Sequence, residues 1–141
     1  MTVERTLVII KPDALERHLI GVINQRIEQA GFNIVAMKMV QMTEQEAFDF
    51  YAEHQEKPFF KQLINFMHSG PMVVEVLEGD EVIMDFLDFK GDTDPHKARI
   101  GTLRHDFAES AGFNVIHGSD GKKAARREID FFFNADEICS R

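Results

Sequence analysis

His117-Gly118-Ser119-Asp120 puts an imidazole, a hydroxyl and a carboxylate within four residues, after the apolar run Phe113 to Ile116 and ahead of a helical pattern. In sheet proteins, ligands tend to sit where a strand gives way to a helix N-terminus. An imidazole there, beside a glycine that cannot crowd it, suits a nucleophile or a general base. Taken alone, the tetrapeptide fits a histidine that only caps a strand end somewhat better.

The helical pattern that follows changes the weighing. At 100° per residue, Glu128 falls between Ala124 and Phe132, with Ala125 close by, while Lys123, Arg126, Arg127 and Asp130 share the opposite arc. Glu128 is thus a carboxylate on a face that should be apolar, and burying it is costly unless it is paired. His117 is a candidate partner; a nearby lysine or arginine is the other. A carboxylate that accepts one ring N–H fixes the tautomer and leaves the second nitrogen free to attack.

Lys11 runs on from a buried strand into Pro12, and its plainer reading is a solvated strand-end lysine. With Thr102, Arg104 and Asn114 it makes two cations, a hydroxyl and an amide, a set suited to polyphosphate. Phe59 and Phe60 are adjacent helical residues pointing about 100° apart, so one can join the core while the other stays exposed as a stacking platform. No Gly-x-x-x-x-Gly-Lys-Ser/Thr loop occurs, and no Cys/His spacing suggests structural zinc.

The elements that must position these groups follow from periodicity. Leu7 to Ile10 reads as a buried strand, Ile34 to Met42 as a second, Pro71 to Glu78 as a third and Phe113 to Ile116 as a fourth. Helices are predicted from Leu19 to Ala30 with a stop at Gly31, after the capping box Thr43-Glu44-Gln45-Glu46, from Pro58 to Met67, from Asp80 to Phe89 and from Gly121 to Phe133. From Gly91 to Thr102 periodicity stops, and a loop this long in a compact domain is more often functional than structural. The expected architecture is α+β: a ferredoxin-like βαββαβ arrangement, a four-stranded antiparallel sheet covered by helices.

A chain of 141 residues predicts one domain, 1–141, large enough to build a core without metals or disulfides. The net charge of −8 argues against coating nucleic acid or an anionic membrane. A single cysteine, Cys139, suits a reducing compartment, and neither a leader pattern nor an apolar membrane span is seen. The expectation is a cytoplasmic protein.

Together, Ile9-Ile10-Lys11-Pro12-Asp13, Phe50-Tyr51-Ala52-Glu53-His54, Lys57-Pro58-Phe59-Phe60, Ser69-Gly70-Pro71, Gly91-Asp92-Thr93-Asp94-Pro95, Gly101-Thr102-Leu103-Arg104 and Asn114-Val115-Ile116-His117-Gly118-Ser119-Asp120 resemble a nucleoside diphosphate kinase of bacterial type across essentially the whole chain. The resemblance implies a phosphotransferase. His117 would take the γ-phosphoryl group of a nucleoside triphosphate, mainly ATP, and pass it in ping-pong fashion to a nucleoside diphosphate. Glu128 would orient the imidazole and Ser119 support it. Lys11, Thr93, Arg104 and Asn114 would contact phosphate and ribose, Tyr51 would line the pocket and Phe59 would stack on the base. Mg²⁺ would ride mainly on the phosphates. The resemblance also implies a homo-oligomer, expected as a tetramer, with hexamer and dimer as alternatives.

One position departs from the family. Leu87 occupies a nucleotide-binding position where the family usually has an arginine on phosphate, and Ile100 replaces the usual proline before Gly101-Thr102. A charge-assisted hydrogen bond is worth about 1.5–3 kcal/mol, or roughly 10- to 150-fold in binding. Weaker nucleotide binding is therefore expected unless Lys90 or Arg99 substitutes. Two rival readings are a non-catalytic ferredoxin-like module, to which Leu87 lends its support, and a hydrolase using Ser119, which lacks a Gly-x-Ser-x-Gly elbow.

Overall fold

Runs of β-branched and apolar residues build the strands of a computed structural model, which describes residues 3–141. Strands β1 (Val3–Ile10), β2 (Asn33–Val40), β3 (Met72–Asp80) and β4 (Ile116–Gly118) form one sheet in the order β2-β3-β1-β4, each neighbouring pair antiparallel. β1 and β2 are therefore parallel with β3 between them, and β3 and β4 are parallel with β1 between them. Helices α1 (Pro12–Glu16) and α2 (Ile20–Gln29) make the first crossover. Helices α3 (Glu44–Phe50) and α4 (Phe60–Met67) join β2 to β3. The second crossover carries α5 (Val82–Lys90) and α6 (Leu103–Phe107), and α7 (Lys122–Phe132) follows β4. This is the ferredoxin-like double split βαβ that the sequence predicts.

Helices cover both faces of the sheet. Leu7 and Ile9 pack with Ala47, Phe50, Ile64 and Ile129, whereas Val8 and Ile10 pack with Ile23, Ile27, Ile83 and Phe86. Burial on both faces is why β1 reads as an unbroken apolar run rather than an alternation. The capping box at α3 is present: Thr43 Oγ1 accepts the Glu46 N–H at 3.0 Å, and Glu46 Oε1 accepts the Thr43 N–H at 2.9 Å.

Several boundaries differ from expectation. The fourth strand runs from Ile116 to Gly118, not Phe113 to Ile116, so His117 lies inside it. Val115 is the cause: its φ of 62° breaks extended backbone, and the Ile116 N–H closes on Asn114 O at 2.8 Å. Asp80 belongs to β3, and α5 starts at Val82. α4 starts at Phe60, two residues beyond Pro58. Helices α1 and α6 went unpredicted because five residues are too few to show a 3.6-residue period.

β3 carries an anomaly. Glu75 is fully buried between Val8 and Met37, and neither carboxyl oxygen receives a hydrogen bond. Asn24 lies beside it but turns its amide nitrogen toward Met37 Sδ, leaving its own oxygen unpaired. Burial, first of all, pushes the carboxyl from 4.5 to about 7. An acid raised in the fold stabilises below its unfolded value, and that contribution is lost as pH climbs from 4.5 through 7. Glu75→Gln, whose amide can donate to Asn24, is expected to raise stability at pH 8 by up to about 3 kcal/mol, several degrees of melting temperature. Melting curves at pH 8 and pH 5 check this: the gain should be large at the first and nearly absent at the second.

Candidate active site

Helix α7 packs on β1, the strand that pairs with β4, and the buried polar groups of β4 and α7 meet. His117 Nε2 and Glu128 Oε1 are 2.8 Å apart, and Ser119 Oγ donates to the same carboxylate oxygen at 2.7 Å. Ser119 is fully buried and its Oγ also accepts the Leu7 N–H at 3.1 Å, which ties the network to β1. Burial alone would raise the Glu128 carboxyl. Hydrogen bonds from His117 and Ser119, with the charges of His117 and Arg127, outweigh it and hold the group below the ordinary carboxylate range. An ionised carboxylate only accepts, so Nε2 carries the proton and Nδ1 keeps a free lone pair. The imidazole is otherwise boxed by Phe50, ring centroids 6.0 Å apart at 71°. Its side chain is 17% exposed, so one edge remains open.

The turn before His117 is built from three of the predicted residues. Lys11 Nζ donates to Asn114 Oδ1 at 2.7 Å. Arg104, 4% exposed, reaches Asn114 O with Nε at 3.4 Å and Ile116 O with Nη2 at 2.6 Å, so it spans the turn at Val115. Asp13 accepts the Val115 N–H at 3.2 Å, and the Lys11 N–H donates to Val115 O at 2.8 Å. A valine at positive φ is strained by about 1–3 kcal/mol and persists only when its surroundings hold it. Five hydrogen bonds, to Lys11, Asp13 and Arg104, do so here. Burial, helped by Arg104, draws the Lys11 ammonium down to about 7, and burial draws Arg104 to about 10 against the carboxylates of Asp92, Asp120 and Asp13. Two desolvated cations this close favour an anion between them.

The other predicted residues are placed as follows. Phe59 is 48% exposed while Phe60 packs edge-on to Phe48, so the pair divides as expected, with Phe59 outward. Tyr51 is buried against Phe50, its hydroxyl unpaired among the described residues, and burial followed by the Glu128 charge raises its pKa. Thr93 is exposed, 3.4 Å from Arg104 Nη1. Leu87 is half-buried and packs into the core under β4 and offers no polar group. Arg99 is spent on Asp88 at 2.6 Å and lines a separate cavity of about 600 Å³ with Asp80, Asp85 and Asp88, a wall that repels anions. Thr102, offered above as a phosphate-binding hydroxyl, also borders that cavity, and its Oγ1 caps α6 by accepting the His105 N–H at 3.2 Å. Gly118 is required for a reason unseen in sequence: a Cβ there would stand 2.8 Å from the Phe86 ring.

With this geometry in view, the match to known proteins is decisive. The profile for nucleoside diphosphate kinases matches residues 4–138. The chain belongs to the nucleoside diphosphate kinase family. A nucleoside diphosphate kinase of Halorhodospira halophila is 53% identical over 141 residues, all of both chains. The Aquifex aeolicus nucleoside diphosphate kinase superposes with a TM-score of 0.94 at 44% identity, covering 97% of this chain and 99% of that one. A halophilic enzyme of the family from Halobacterium salinarum, solved in complex with CDP, gives 0.94 at 41% identity, covering 99% and 93%. As a nucleoside diphosphate kinase the protein is a nucleotide-binding phosphotransferase. No helix among the described residues is long and apolar enough to cross a membrane.

Three residues that line the candidate site of this nucleoside diphosphate kinase are not singled out by the sequence. In the sequence Phe50 and Asp13 stand only as members of the family motifs, and Arg127 only as charge on the outer arc of the last helix. Arg127 in fact bridges Phe50 O at 3.2 Å, Glu53 at 3.1 Å and Glu128 Oε2 at 3.6 Å. It closes the open side of α7 over α3.

Proposed function

We propose that His117 Nδ1 is the nucleophile of a ping-pong phosphoryl transfer, and the observation that carries this reading is the 2.8 Å contact that commits Nε2 to Glu128. Nδ1 attacks the γ-phosphorus of a nucleoside triphosphate, the bond to the β,γ-bridging oxygen breaks, and the nucleoside diphosphate leaves. A second diphosphate then attacks the phosphohistidine and returns Nδ1 to its starting state. The ring keeps its Nε2 proton throughout, and the positive charge it gains on phosphorylation faces the Glu128 carboxylate. Lys11, Arg104, Asn114 and Thr93 bind phosphate and ribose. Phe59 stacks on the base, which accepts any nucleoside because every base has a π-face. Tyr51 and Ser119 line and support the imidazole.

Among the described residues no three His, Cys, Asp or Glu side chains gather to cage a metal. Mg²⁺ would be held through the nucleotide's phosphates and water, with few protein carboxylates. Asp120, exposed beside His117 and near the charges of Lys90 and Arg104, is the residue that would face the ion. When bound, Mg²⁺ supplies charge neutralisation on the phosphates. One kinase domain, 1–141, assembles as a homo-oligomer, with the tetramer favoured over hexamer or dimer; exposed Met37 and Met39 on edge strand β2 support an apolar contact surface. The single exposed thiol of Cys139 suits the cytoplasm.

Intact-protein mass after mixing with ATP and Mg²⁺ tests the reading. One acid-labile phosphoryl group per chain, discharged by GDP and stable to water in its absence, is expected. No adduct, or steady ATP hydrolysis without a diphosphate, overturns it.

A further inference from the structure

Lys90 ends helix α5 with its side chain buried, 8% exposed, beneath the strand that bears His117. Its Cε lies 3.5 Å from where a Cβ on Gly118 would stand. Among the described residues its ammonium makes no hydrogen bond and no ion pair. Arg104 and Lys11 lie within reach of its charge and oppose it; Asp120 and Asp92 favour it without touching it. Burial, chiefly, then Arg104, brings it to about 8. A lysine in the last helical turn needs only to be near the carbonyl ends to gain from the helix dipole, and an exposed one would gain as much. Burying it without a hydrogen bond costs free energy that Asp120 and Asp92, out of contact, offset only in part. Three positions, less than one turn, separate it from Leu87, so the two share one side of α5.

We propose that Lys90 is a phosphate-binding residue of the nucleotide site, supplying from the end of α5 the positive charge that Leu87 does not. The ligand is the di- or triphosphate of a nucleotide, and the inference rests on the reading above that places phosphates between Lys11 and Arg104. It removes the expected binding deficit: the charge is displaced along the helix, not lost.

Lys90→Met keeps the stem and deletes the charge. Calorimetric titration with ADP should show affinity lower by about 10- to 150-fold. KM for the diphosphate should rise in parallel, while the ligand-free melting temperature holds or increases because a buried ammonium is gone. Wild-type affinity in a folded Lys90→Met protein overturns the proposal. Should that variant not fold, NMR titration of wild-type protein labelled at lysine Cε decides. ADP should move the Lys90 titration to higher pH, and an unmoved titration overturns the proposal. Failure of the phosphohistidine would be seen separately, in the mass experiment, since both tests here read binding.

Discussion

His117→Ala is expected to abolish phosphoryl transfer, lowering kcat/KM by roughly 10⁴-fold or more, the scale on which losing a nucleophile acts. Neither neighbouring hydroxyl can replace it. Ser119 is fully buried, with Oγ engaged by both the Leu7 N–H and Glu128. The Tyr51 hydroxyl is held protonated by burial and the Glu128 charge. Binding should survive, because Lys11, Asn114 and Arg104 are held by one another and by backbone carbonyls rather than by the imidazole. The variant should therefore take up no phosphoryl group while binding ADP with an affinity close to wild type in a calorimetric titration. A variant that still forms an acid-labile adduct would assign the chemistry to another residue.

Glu128 should give the second-largest effect, and two substitutions separate its charge from its shape. Glu128→Gln keeps an oxygen for Ser119, but its amide can also donate to His117 Nε2. That donation moves the ring proton to Nδ1 and blunts the nucleophile. Losing the correct tautomer in this way costs up to about 10⁴-fold in a comparable dyad; a drop of at least 10²-fold in the single-turnover phosphorylation rate is expected. The glutamine amide would also face Arg127, 3.6 Å from the present Oε2, where a carboxylate is now favoured. Glu128→Ala strands the Nε2 and Ser119 donors in a buried space, at about 1–3 kcal/mol each, and should lower the melting temperature by several degrees as well as the rate. The pH dependence has a definite sign. A carboxyl held below its ordinary range stabilises above the unfolded value of 4.5, and that contribution is lost as pH falls through the folded one. The stability gap between wild type and Glu128→Gln should therefore be full at neutral pH and close in acid below 4.5. An unchanged phosphorylation rate in Glu128→Gln would remove the orienting role.

Much of this site lies in local pattern. Glu128 could be placed on the buried face of α7 because it falls between Ala124 and Phe132 at helical spacing, with Ala125 close by, and that geometry belongs to any helix whatever it packs on. The same holds for the capping box of α3, for the division of Phe59 from Phe60, and for β1, whose unbroken apolar run demands a sheet covered on both faces. The ferredoxin-like order follows from the alternation of such elements. Motif order and spacing along the chain point to the family on their own.

What local pattern does not carry is the pairing of groups far apart in sequence. The turn at Val115 looks like strand, since valine favours extended backbone. It bends because Asp13 and Lys11, roughly a hundred residues away, hold its N–H and carbonyl. Lys90 and Arg99 were equal candidates to replace the missing arginine, being cations of similar reach. Sheet order parts them, seating α5 under β4 so that Lys90 is buried beside Gly118, while the loop carries Arg99 out to Asp88. By itself, the sequence determined which residue types could do phosphoryl chemistry and on which helical faces they lie. Only the tertiary structure decided which nitrogen of His117 is free, which buried lysine has no hydrogen-bond partner among the described residues and why residue 118 must be glycine. Each of those depends on desolvation and contact between elements that the chain brings together only on folding.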